Sequence, residues 1–114
     1  MVASRPVRRS DSWLLVRGDQ STAITAGEHV LGRALESDIR LDASGVSRRH
    51  ARLVVYPGTA IITDLHSKNG TYVNRRRIAG PTALANGDEI GLGTVVMIIH
   101  FPDDAAGAAP HDRR

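Results

Sequence analysis

The sequence predicts an all-β fold, an antiparallel β-sandwich of about ten to eleven short strands with its loops exposed at the ends. Three observations point that way. Short stretches rich in Val, Ile, Leu and Thr recur at close spacing, Gly, Pro, Asn and Asp punctuate them, and no stretch holds a helical period long enough to trust. A small barrel is the competing architecture.

The first strand is expected over residues 13–17, from Trp13 to Arg17, ending at the Gly18-Asp19 turn. Residues 22–25 and 29–31 follow, separated by Ala26-Gly27-Glu28. A short alternating piece, Ile39-Arg40-Leu41, precedes the clearest strand, residues 50–56, in which Ala51, Leu53 and Val55 share one face. Pro57-Gly58 turns the chain into residues 60–64. Tyr72-Val73 and Arg77-Ile78 are brief, and Asn86-Gly87 is a strong hairpin signal leading into residues 89–92. The longest apolar run, residues 94–101, is bounded by Gly93 and Pro102. Its β-branched content favours a strand over a helix, and its continuity reads as burial on both faces.

At 114 residues the chain has room for one hydrophobic core. Hydrophobic residues make up 41%, which supports a folded body, while aromatics are only 4%, so aliphatic side chains must build its interior. There is no cysteine, which excludes disulfides and thiolate metal sites and suits a cytoplasmic setting. No apolar run is long enough to span a membrane. Residues 1–11 are expected to form a flexible basic arm, 12–102 the folded domain, and 103–114 a disordered tail or the start of a linker. The formal charge of +3 is divided between Arg5, Arg8 and Arg9 in the arm and a weakly basic body, too little for general nucleic-acid binding.

Four signatures occur in fixed order between the expected strands: Gly32-Arg33, Ser47-Arg48-Arg49-His50, the run 64–71 with Ser67-Lys68-Asn69-Gly70, and Val73-Asn74. Each alone reads as a turn or a solvated loop. Together they gather guanidinium, hydroxyl and amide donors beside small turn residues, the chemistry of a phosphate cradle. A hydrolytic triad of Ser47, His50 and Asp64 has little support, because Ser47 and His50 lie three residues apart and there is no Gly-x-Ser-x-Gly elbow. Gly91-Leu92-Gly93 lacks the rest of a dinucleotide fingerprint. The histidines are scattered, so no metal is expected.

The order Gly32-Arg33, Ser47-x-x-His50, Asn69-Gly70-Thr71-x-Val73-Asn74, then Gly87-Asp88, resembles the forkhead-associated (FHA) domain, with Ser37-Asp38-Ile39 inside the same pattern. The likeness covers about residues 13–101. It implies a β-sandwich that binds phosphothreonine peptides through its loops, without catalysis or cofactor. Arg33, Ser47 and Arg48 would meet the phosphate or the adjoining peptide, Lys68 would line the phosphothreonine pocket, and Asn69 would bond the peptide main chain. Gly32, His50 and Gly70 would be structural supports. Arg75 or Arg76 would favour acidic residues after the phosphothreonine. The implied partner is a Ser/Thr kinase or its phosphorylated product, met by a monomer, with no nucleic acid or membrane involved. Rival expectations are a phosphorylation-independent interaction sandwich and a weak nucleic-acid binder using the Arg-rich segments.

Overall fold

The computed structural model describes residues 13–102; the arm and tail expected at 1–11 and 103–114 lie outside the described residues. Eleven strands are present: β1 (Trp13–Arg17), β2 (Gln20–Ile24), β3 (Gly27–Gly32), β4 (Ile39–Arg40), β5 (Ala51–Tyr56), β6 (Thr59–Asp64), β7 (Thr71–Val73), β8 (Arg76–Arg77), β9 (Thr82–Leu84), β10 (Glu89–Leu92) and β11 (Val95–His100). They form a six-stranded sheet in the order β2-β1-β11-β10-β7-β8 and a five-stranded sheet in the order β4-β3-β5-β6-β9. All pairings are antiparallel except β3 with β4, which run parallel.

Period-two alternation puts one side of each sheet into a shared core. Leu53 and Ile62 are opposed in register across β5 and β6, as are Ile90 and Met97 across β10 and β11, and all four are buried. Each fully buried aliphatic side chain of this kind stabilises the fold by roughly 1.5–3 kcal/mol. Trp13 stacks on Phe101 with ring centroids 4.2 Å apart, closing the end of the core where β1 begins and β11 finishes.

Three local expectations differ from the structure. β11 is not buried on both faces: Val95, Met97 and Ile99 point into the core, while Val96 is 52% exposed and His100 is exposed. Asn86-Gly87 does not join a hairpin. It carries the chain from β9, paired with β6, to β10 in the other sheet. Asn86 Oδ1 there accepts the Phe101 N–H at 2.8 Å, so the turn is fastened to the end of β11. β9 itself has no counterpart in the sequence reading, because Thr82-Ala83-Leu84 is too short to show a period.

Between β7 and β8 the chain turns in two residues, Asn74 (φ 50°) and Arg75 (φ 70°), both left-handed as a type I′ turn requires. Asn74 is further held by its side chain, whose Oδ1 accepts the Glu89 N–H at 2.9 Å and whose Nδ2 donates to Asp88 Oδ1 at 3.0 Å.

Candidate functional site

Three connections meet at the end of the sandwich opposite the Trp13–Phe101 stack: residues 33–38 after β3, 41–50 between β4 and β5, and 65–70 between β6 and β7. Two backbone bonds splice the first two. Arg33 N–H donates to the Ser47 carbonyl at 3.0 Å and Ala34 N–H to the Arg48 carbonyl at 3.2 Å. The approach is so close that a Cβ on Gly32 would sit 2.0 Å from the Arg48 carbonyl oxygen, which only glycine avoids.

His50 is fully buried and joins the second connection to the third. Its Nδ1 accepts the Ser47 N–H at 3.0 Å, which leaves Nε2 to donate to the Gly70 carbonyl at 2.8 Å. These two bonds fix a neutral tautomer with the proton on Nε2. Ser47 Oγ accepts the Lys68 N–H at 3.0 Å, and Asn69 Nδ2 donates to the Gly45 carbonyl at 2.9 Å.

Asp64 organises the third connection from within. Its Oδ1 accepts the Thr71 hydroxyl at 2.7 Å and the Ser67 hydroxyl, and its Oδ2 accepts the Ser67 N–H at 3.1 Å. Burial raises the Asp64 pKa, but the Ser67 and Thr71 hydroxyls and the Ser67 N–H outweigh it, holding the carboxyl below its ordinary value of 3.8. Ser67 Oγ in turn accepts the Gly70 N–H at 2.8 Å. Gly70 adopts φ +87°, and the Arg77 guanidinium lies against it so closely that a Cβ would come within 2.6 Å of Arg77 Nε.

These bonds enclose an open cleft of about 510 Å³ lined by Arg33, Ser47, Lys68, Asn69, Asp42 and the segment 43–46. Arg33 Nε donates to the Val46 carbonyl at 3.0 Å, which orients the guanidinium and leaves both Nη groups for a ligand. Asp42 is the one carboxylate in the lining among the described residues, and Arg40 stands 3.7 Å from it. The cleft is therefore cationic, with hydroxyl and amide groups between its charges.

Four of the residues singled out by sequence, Arg33, Ser47, Lys68 and Asn69, thus share one cleft. Arg48 stands outside its lining, 66% exposed, with Nη2 3.6 Å from Glu36 Oε2. Gly32, His50 and Gly70 hold the loops, as described. Arg75 and Arg76 lie elsewhere: Arg75 Nε is 3.7 Å from Glu89 Oε2 at the β7–β8 turn, and Arg76 lines a second cleft. Sequence reasoning missed Asp42, which belongs to no recognisable motif, and noted Arg77 only as part of a brief strand and of the run Arg75-Arg76-Arg77, with no role of its own. Among the described residues no group of three or more His, Cys, Asp or Glu could hold a metal ion.

A triad does not form. Both His50 ring nitrogens are occupied by Ser47 N–H and the Gly70 carbonyl, and the Asp64 carboxylate is occupied by Ser67 and Thr71. No Asp–His–Ser relay connects them.

The family model for the FHA domain matches residues 29–93, which include every loop of this cleft. The chain belongs to the FHA family. The glycogen accumulation regulator GarA of Mycolicibacterium smegmatis is 48% identical over 67 residues, 59% of this chain and 42% of that protein. An oxoglutarate dehydrogenase inhibitor of Corynebacterium efficiens is 47% identical over 80 residues, 70% of this chain and 51% of its own length. The chain thus spans about half the length of the curated relatives it matches. A solved FHA domain, analysed for phosphothreonine-dependent interactions, superposes with a TM-score of 0.74 at 33% identity, covering 79% of this chain and 96% of that one. The likeness to FHA structures extends to the two-sheet architecture. No helix among the described residues is long and apolar enough to cross a membrane.

Proposed function

We propose that this FHA domain is a non-catalytic docking module that binds phosphothreonine-bearing segments of proteins in kinase signalling. The observation that carries the reading is the convergence of Arg33, Ser47, Lys68 and Asn69 on one open cleft, held there by inter-loop hydrogen bonds. In this reading the Arg33 Nη groups grip the phosphate. Because Ser47 Oγ already accepts from Lys68 N–H, its own proton is available to a phosphate oxygen. Lys68 adds a cationic wall, and the Asn69 Oδ1 accepts a peptide N–H while Nδ2 stays on Gly45.

Arg48 takes a place on the rim. Its exposed pair with Glu36 is worth about 0–1 kcal/mol, so its release toward a dianionic ligand costs little. Charge-assisted hydrogen bonds of this kind contribute roughly 1.5–3 kcal/mol each. Ordering an extended peptide offsets much of that, which gives a micromolar-class affinity near about −8 kcal/mol. No bond-cleaving step is part of this reading: among the described residues, the hydrogen bond between Ser47 and His50 uses the Ser47 backbone N–H and not its hydroxyl.

The folded module proposed is residues 12–102, acting as a monomer, in the cytoplasm where a Ser/Thr kinase or its product would supply the phosphate. An oriented phosphopeptide library tests the reading. Enrichment of phosphothreonine over phosphoserine and unphosphorylated threonine supports it, and equal capture of all three rejects it.

A further inference from the structure

A second cleft, of about 620 Å³, opens where the β7–β8 edge of one sheet meets β9 of the other. Val73, Ile78, Ala79 and Ala83 give it apolar walls, and Arg76 and Arg77 bring two guanidinium groups. The acid that borders it, Asp88, is already engaged: Oδ1 accepts Asn74 Nδ2 at 3.0 Å and Oδ2 accepts the Ala85 N–H at 2.7 Å. Of the three consecutive arginines, only Arg75 has a carboxylate within 4.0 Å among the described residues. Arg76 and Arg77 therefore have no ion-pair partner among the described residues, and with Asp88 counted the cleft keeps a net positive charge beside an apolar floor.

The two clefts share no lining residue, but Arg77 brings them close. Arg77 lines the second and also packs on Gly70, the residue after Asn69, which lines the cleft proposed for phosphothreonine. Arg76 lies opposite Val73 in the β7–β8 register, three residues along the strand side from Gly70. At strand spacing that is roughly 10–13 Å beyond Asn69, a distance an extended peptide covers in about three or four residues.

We propose that the second cleft is an auxiliary groove for an acidic stretch of the same phosphorylated partner, lying about four to six residues from the phosphothreonine. The inference rests on the phosphothreonine reading and adds a second point of attachment to it. Glu or Asp side chains meet Arg76 and Arg77, while the apolar parts of the stretch cover Val73, Ile78 and Ala83. Arg77, packed on Gly70, is the end of this groove nearest the first cleft.

Calorimetry on residues 1–114 tests this with three phosphothreonine peptides: one with neutral flanks, and two with three Glu residues placed about four to six positions before or after the phosphothreonine. One Glu peptide is expected to bind about three- to tenfold more tightly than the neutral one at low ionic strength. The gain disappears in Arg76→Glu and in Ala83→Glu, which act from different walls, while the neutral peptide binds all three proteins alike. Thermal melts show that each variant is folded. Absence of any gain, or a gain retained in both variants, overturns the groove. Failure of the neutral phosphothreonine peptide to bind the parent protein is a separate outcome that overturns the phosphothreonine reading, and the groove with it.

Discussion

Ser47 and Lys68, twenty-one residues apart, are joined by a hydrogen bond from the Lys68 N–H to Ser47 Oγ at 3.0 Å. That bond fixes the hydroxyl as an acceptor on one side and so directs its proton to the other. Ser47→Ala removes both. Because Lys68 is exposed, water can satisfy its N–H, and the expected loss of stability is under about 1 kcal/mol. Phosphothreonine-peptide affinity is expected to fall about tenfold, read by calorimetry beside a urea denaturation curve. Ser47→Thr, which keeps the hydroxyl, should recover part of it.

His50 is the opposite case, a residue whose importance is structural. His50→Ala leaves the Ser47 N–H and the Gly70 carbonyl without their partner and opens a cavity at a fully buried site. A destabilisation of about 2–4 kcal/mol is expected in urea. Unchanged stability would show that the imidazole does not tie the loops together.

Asp64 predicts an acid limit. Its folded pKa is depressed below the ordinary value of 3.8, so its contribution is present in full above that value. It is lost as pH falls below 3.8 and through the folded pKa, when protonation weakens the bonds accepted from Ser67 and Thr71. Asp64→Asn should be less stable at pH 6–7, and the gap to the parent should narrow below about pH 4. A gap constant from about pH 7 to pH 2 would contradict this.

Arg75 occupies left-handed backbone at φ 70° with an 86% exposed side chain. Arg75→Gly turns the corner into Asn-Gly, the pair best suited to a type I′ turn. Relief of backbone strain exceeds the loss of an exposed ion pair, so a gain of about 0.5–1 kcal/mol is expected in thermal melts. A lower melting temperature would show that the Glu89 contact matters more than the strain.

Much of the fold was legible because β1, β5 and β6 carry local alternation between turn residues. What was not legible depends on distant partners. Thr82-Ala83-Leu84 becomes a strand because β6, some twenty residues earlier, offers it an edge. Asn86-Gly87 carries the local signature of a hairpin, but its neighbours pair in different sheets. Val96 and Ile98 read as interior because they are aliphatic, whereas in β11 they occupy the outer face.

The site divides in the same way. Arg33, Ser47, Lys68 and Asn69 are carried by short motifs, and the four line one cleft. The placement of Arg48 beside Glu36 follows from the splice between residues 33–34 and 47–48, which no local pattern encodes. Arg77 reaches Gly70 because β8 pairs with β7 in one particular register, with Tyr72 opposite Arg77. Its neighbour Arg76, one residue earlier, falls opposite Val73.

Calorimetric titration of one phosphothreonine peptide and its unphosphorylated twin into the parent protein and Arg33→Ala tests the central claim most directly. The account predicts micromolar-class binding of the phosphopeptide to the parent, roughly ten- to a hundredfold weaker binding to Arg33→Ala, and none of the twin. Equal affinity of the two peptides for the parent, or undiminished phosphopeptide binding by Arg33→Ala, would contradict it.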